Sequence, residues 1–159
     1  MSQLFQRGVS SLWPIGAIQM NKNYQAILSA LPVRFNTLLD VCCGDGELIS
    51  LISEKFQASF TGVEDSEKKI AIARDRKIPN AEFFVGNQNN LYFKDGSFDV
   101  VVSPLPIYAY KDIFRVISPS CGVLITAVDT LIADMEPKVL KGIGFSEAFL
   151  KGDLLIAKK

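Results

Sequence analysis

The chain has 159 residues, 17 Lys and Arg against 17 Asp and Glu, 48% hydrophobic residues and no histidine. That length and composition fit one soluble domain with its own core, and the balanced charge argues against a surface that is basic throughout for nucleic acid. Without an imidazole, every His-dependent triad is excluded, and Cys42, Cys43 and Cys121 form no C-x-x-C pair, so no metal site is expected. The odd cysteine count and the lack of a membrane-length apolar run predict a cytoplasmic protein that does not enter membranes.

Residues 1–39 contain no acid, and Leu4, Phe5, Val9, Leu12 and Trp13 share one helical face, which makes residues 1–16 an amphipathic arm. With Arg7, Lys22 and Arg34 the stretch also has features of an organelle-targeting peptide. Cover for a sheet edge and a lid over a ligand pocket both fit the arm. A helix is predicted over Asn23 to Leu31, ending before Pro32. Thr37 to Val41 is a short apolar strand, followed by a glycine turn and a helix over Glu47 to Phe56. Ser59 to Glu64 is a second strand. Ser66 then caps a helix whose Ile70, Ile72 and Ala73 are expected to face inward.

Ala81 to Gly86 is the third strand. After the turn at Asp95 to Phe98, the β-branched run Asp99 to Ser103 suits a central parallel strand buried on both faces. A helix over Ala109 to Ile117, with Cys121 packed at the start of the following strand, Gly122 to Val128, continues the alternation. A helix over Glu136 to Lys141 is opened by Pro137 and stopped at Gly142, and the two alternating runs around Lys151-Gly152-Asp153 signal a hairpin. The pattern predicts a single α/β domain over residues 1–159, with arm and helix over 1–36 and core over 37–159. Its expected architecture is a Rossmann-like, doubly wound, mostly parallel sheet with a C-terminal antiparallel hairpin.

The informative segment is Leu38 to Leu48, an apolar strand ending in Asp40, then Cys42, Cys43, Gly44, Asp45 and Gly46, then a helix. Glycines there let the backbone turn sharply and approach a ligand closely. Glu64 ends the next strand, where an α/β nucleotide-binding fold places the carboxylate that grips ribose hydroxyls. A nicotinamide fold would want a third glycine where Ile49 stands, and a catalytic domain besides.

On these residues the sequence resembles the class I S-adenosylmethionine-dependent methyltransferases, from about Thr37 to the C-terminus. The family's first motif, (D/E)-x-G-x-G-x-G, is matched by Asp40 to Gly46 except that Cys42 replaces the first glycine. If that position needs φ > 0 the turn is strained. The resemblance implies S-adenosylmethionine as cofactor and S-adenosylhomocysteine as product, held by Asp40, Cys42, Gly44, Gly46, Glu64 and Asp65. It also implies Asn87 at the adenine amino group, with Gln88 as its substitute.

The resemblance further places Ser103, Pro104 and Tyr108 nearest the methyl group. Ser103 to Tyr108 is similar to the (N/D/S)-P-P-(Y/F/W) device of some N-methylating members, with Leu105 interrupting the prolines and Tyr108 two positions late. A proline-stiffened loop is the other reading. The stretch Ser97 to Pro119 is similar to the catalytic half of bacterial ribosomal RNA guanine N1-methyltransferases. The acceptor is thus open among RNA, protein and a small molecule, with Lys22, Arg34, Lys111 and Arg115 as a basic rim for RNA. Lys68, Lys69, Arg74, Arg76 and Lys77 read as the solvated face of a helix, and Cys42 and Cys43 as buried thiols rather than a redox pair. Monomer and homodimer both fit, as does a non-catalytic partner subunit that keeps the fold.

Overall fold

The computed structural model describes the backbone of residues 13–159 and the side chains from Gln19 onward. The expectation for the arm rests on side chains from Leu4 to Trp13 and lies outside them. Along the chain come α1 (Trp13–Ala30), β1 (Thr37–Val41), α2 (Glu47–Ser53), β2 (Ser59–Glu64), α3 (Glu67–Asp75), β3 (Ala81–Val85) and β4 (Val100–Ser103). They are followed by α4 (Tyr110–Val116), β5 (Val123–Ala127), α5 (Glu136–Ile143), β6 (Glu147–Lys151) and β7 (Leu154–Lys158).

The strands form one sheet in the order β3-β2-β1-β4-β5-β7-β6. It is parallel from β3 through β5 and antiparallel where β7 joins β5 and β6. Alternation along each strand divides the core. Leu38, Val100 and Val102 pack with Tyr24 and Ile27 of α1, Leu48, Ile49 and Ile52 of α2, and Ile70 and Ala73 of α3. Leu39 and Val101 face Tyr110, Ile113 and Val116 of α4 and Leu140 of α5. Helices therefore cover both faces, which is why all four residues of β4 are buried.

The Asp99 carboxylate accepts the N–H groups of Asn36 and Thr37. Its own N–H donates to Thr37 Oγ1, which fastens the start of β1 to β4. Strand order reverses between these two neighbours, and the crevice beyond their C-terminal ends is where such sheets bind ligands.

Four expectations need correction. α1 already runs from Trp13, the first described residue, ten residues before Asn23. α5 passes through Gly142 and ends where Gly144 takes φ 131°. Ile72 is exposed, since Ile70 and Ala73 already fill the inward face of α3. Cys121 is exposed in the turn before β5 instead of packed. The Ser66 cap forms as expected, its hydroxyl accepting the Lys69 N–H. Among the described residues no helix is long and apolar enough to cross a membrane.

Candidate functional site

At the C-terminal end of β1, Asp40 is fully buried and, among the described residues, neither carboxylate oxygen has a hydrogen-bond partner. Burial first, and the Glu64 charge second, hold its carboxyl well above the usual carboxylate range. A buried acid without a donor is costly in a folded protein and points to a missing cationic or N–H partner.

The turn that follows carries three left-handed residues, Cys42 (φ 62°), Gly44 (φ 57°) and Gly46 (φ 81°). A Cβ on Gly44 would meet nothing within 4 Å, so the turn is open to the crevice there. On Gly46 a Cβ would come 3.0 Å from the Phe83 ring.

Cys42, in the position of the missing glycine, keeps the conformation glycine would adopt and pays for it in backbone strain of about 1–2 kcal/mol. Its half-buried thiol is pushed up to about 11, chiefly by burial and then by Glu64, so it is a protonated thiol and a poor redox nucleophile at neutral pH. Cys42→Gly should accordingly raise the stability of the protein by about 1 kcal/mol, or about 2–4 °C in Tm by thermal unfolding. An unchanged or lower Tm would remove the strain argument.

Glu64, at the end of β2, reaches back across the crevice. Its Oε2 accepts the Gly44 N–H at 3.0 Å and its Oε1 the Ser66 N–H at 3.3 Å, with Lys69 Nζ 3.6 Å away. Each oxygen keeps a lone pair for a further donor. The cavity beside it, about 330 Å³, is bounded by Cys42, Glu64, Asp65, Lys69, Asn87 and Leu105 among others. That is within the size range of small-molecule sites. Asn87 Oδ1 accepts the Asn89 N–H, whereas Gln88 Oε1 accepts from Tyr108 N and Ala109 N. Gln88 is therefore spent on tying its loop to the one after β4.

The three residues expected nearest the reacting group are each engaged within the fold. Ser103 is fully buried and its hydroxyl accepts the Leu105 N–H. The Pro104 carbonyl accepts Asn23 Nδ2 of α1 at 2.8 Å, and the exposed Tyr108 donates its hydroxyl to Asp129 at 2.6 Å. Leu105 between the prolines and the two-residue shift of Tyr108 turn this segment into a braced loop.

Arg115, expected on a basic rim, lies within the fold's own network. It binds Asp112 and Asp95 and the carbonyls of Leu91 and Phe93. Arg74 and Arg76 are exposed, as expected of a solvated face, and Arg74 also donates to the Phe83 carbonyl.

Arg76 is the site residue that sequence reasoning missed. Its Nε donates to the Asp45 carbonyl at 2.6 Å and its Nη2 to the Asp45 carboxylate at 2.7 Å, gripping the glycine turn from the end of α3. No local pattern announces a partner 31 positions away. Because the pair is partly exposed, its loss should cost less than about 1 kcal/mol of stability. Arg76→Lys, which cannot make the same planar fork, should nonetheless weaken ligand binding at the turn several-fold by loosening it. Calorimetry beside urea unfolding separates the two effects.

Tyr24 was missed as well. It comes from α1 and is buried in the core cluster that also holds Cys43 of the turn, and burial first, then the Asp40, Glu47 and Asp45 carboxylates, push its phenol up.

A parallel sheet reversing at β1 and β4, a glycine turn and acids at two adjacent strand ends define a nucleotide-binding α/β domain. The methyltransferase-domain family matches residues 38–124, more than half of the chain, and the chain belongs to it, within the class I S-adenosylmethionine-dependent methyltransferase superfamily.

The demethylmenaquinone methyltransferase of Lactococcus lactis is 35% identical over 96 residues, 52% of this chain and 38% of that protein. The chain spans less than half the length of the curated relatives it matches. Among solved structures, a Methanococcus maripaludis protein proposed to be an S-adenosyl-L-methionine-dependent methyltransferase superposes with TM-score 0.75 at 17% identity, over 96% of this chain and 92% of that one. A TehB-like SAM-dependent methyltransferase from Corynebacterium glutamicum does so with TM-score 0.65 at 19% identity, over 86% of each chain. These last two likenesses concern the fold.

Proposed function

We propose that this domain binds S-adenosylmethionine in the crevice between β1 and β2 and transfers its methyl group to an acceptor held beyond the end of β4. The observation that carries this reading is Asp40, a fully buried carboxylate with no partner among the described residues at the floor of a family-typical glycine turn. The cofactor brings the ammonium that such a group needs. Gly44 leaves room for its methionine end, and the spare lone pairs of Glu64 suit a ribose diol. Asn87 lines the same cavity and suits the adenine amino group.

Bound there, the cofactor supplies a methyl group already activated on a sulfonium, so placement of the acceptor matters more than a strong base. That suits a chain without histidine. What these residues do is bind, orient and shield. Glu64 and Arg76 hold the glycine turn in shape from two sides, and Asn23 and Gln88 brace the loop after β4.

Calorimetric titration with S-adenosylmethionine and S-adenosylhomocysteine tests the reading, and micromolar binding of both is expected. Absence of binding by well-folded protein would overturn it in favour of a non-catalytic or partner-dependent subunit.

A further inference from the structure

We infer that a second cavity, of about 650 Å³, is the acceptor chamber, and that it takes an uncharged, largely apolar small molecule rather than a nucleic acid or an anionic metabolite. The inference rests on the cofactor reading above. The chamber lies between α1, the loop after β4, the end of β5 and the turn joining β6 to β7. Met20, Pro104, Leu105, Pro106, Ala127 and Ala133 supply much of its apolar wall.

Two observations give it a role. Leu105 lines both this chamber and the cavity beside Glu64, so the two spaces meet at one side chain at the C-terminal end of β4. Part of the polar set of the wall, Gln19, Asn23 and the carbonyls of Pro104 and Leu105, is also already engaged within the fold, and Thr130 and Asp153 are the other polar side chains of the described wall. Gln19 donates to Asn23 Oδ1, Asn23 donates to the Pro104 carbonyl, and Thr126 Oγ1 donates to the Leu105 carbonyl.

Charge then selects the occupant. Asp153 is the one ionisable side chain among the described lining residues, none of which is a Lys or Arg that could receive a phosphate, sulfate or carboxylate. An anion would lose its hydration without a compensating partner, whereas an apolar body gains by leaving water. The volume is that of sites for small organic ligands. With such a molecule in the chamber, the acceptor's lone pair closes the bond to the methyl carbon as the carbon–sulfur bond opens. The released pair stays on sulfur, and the acceptor's proton, where it carries one, passes to water.

The test uses N-phenyl-1-naphthylamine, a neutral fluorescent probe, and its anionic counterpart 1-anilinonaphthalene-8-sulfonate, with S-adenosylhomocysteine titrated in parallel on the full chain. The neutral probe should bind the wild type and bind at least tenfold more weakly to Ala133→Trp and to Val128→Trp. Affinity for S-adenosylhomocysteine, unchanged within twofold, reports that both variants are folded. The anionic probe should bind the wild type at least fivefold more weakly than the neutral one, and Asp153→Asn should narrow that gap.

Neutral-probe binding that is absent from the wild type, or untouched by both tryptophans, while S-adenosylhomocysteine still binds, would overturn the chamber and leave the cofactor reading standing. Equal binding of the two probes would overturn the choice of an uncharged occupant. Failure of S-adenosylhomocysteine alone, with the probe pattern as expected, would instead overturn the cofactor reading and with it the chamber's role as acceptor site.

Discussion

Asp40→Asn is expected to stabilise the unliganded protein as pH rises while weakening its binding of S-adenosylhomocysteine on the order of 30-fold to 100-fold. The side chain is fully buried without a partner among the described residues, and burial followed by the Glu64 charge raises its pKa well above 3.8. In the pH window between that ordinary value and the raised native one, the folded state holds a proton that the unfolded state has released. The wild type therefore loses stability as pH rises through this window, by up to about 1.4 kcal/mol per pH unit, and levels off above the native value.

Asparagine has the same shape and no charge to form, so the variant should lack this slope and be more stable than the wild type at pH 8. Urea unfolding at pH 5 and pH 8 measures the difference. A wild type as stable at pH 8 as at pH 5, with no gain in the variant, would mean that the carboxylate is satisfied in solution. Binding should move the other way, since loss of a charge-assisted contact to an ammonium is worth about 2–3 kcal/mol. Ligand binding to the wild type should also release about one proton within the same window, seen as a dependence of the calorimetric heat on buffer ionisation enthalpy.

The sheet and the first half of the site were legible because both are written in short-range signals. Thr37 to Val41, Ser59 to Glu64 and the β-branched run ending at Ser103 have the length and punctuation of buried parallel strands, and each forms at or within a residue of its expected bounds. Asp40, Gly44, Gly46 and Glu64 follow from those strands, since their places are fixed by where a strand stops.

What stayed hidden depends on contacts between distant residues. Arg76 looks like one more cation on a charged helix until the fold brings Asp45 to it. Likewise Ser103, Pro104 and Gln88 are polar groups whose availability is decided by Leu105, Asn23 and Tyr108, and all three are engaged. The Tyr110 hydroxyl donates to Glu136 at 2.6 Å inside the fold, across 26 positions, which neither helix announces. Left-handed Cys42 is a different case: the motif says glycine, the residue is cysteine, and only the backbone shows that the conformation was retained.

Glu64→Ala should be the most damaging single change at the crevice, because the carboxylate both shapes the turn and faces the ligand. Its removal strips the Gly44 and Ser66 N–H groups of their acceptor and deletes the two spare lone pairs proposed for the ribose. A loss of at least about 100-fold in affinity for S-adenosylhomocysteine is expected, with about 1–2 kcal/mol of stability from the stranded donors. Glu64→Gln separates shape from charge. Its amide oxygen can keep one of the two N–H groups, so affinity should fall less than in the alanine variant.

The neutral side chain also removes the second cause of the Asp40 shift. The native Asp40 value should therefore drop, and the high-pH loss of stability seen in the wild type should shrink in Glu64→Gln. Adding Asp40→Asn to that background should then stabilise less than it does alone, a coupling between the two carboxylates that a double-mutant cycle at pH 8 reads directly. If the Asp40 gain is the same in both backgrounds, burial alone governs that carboxyl and the two acids act independently.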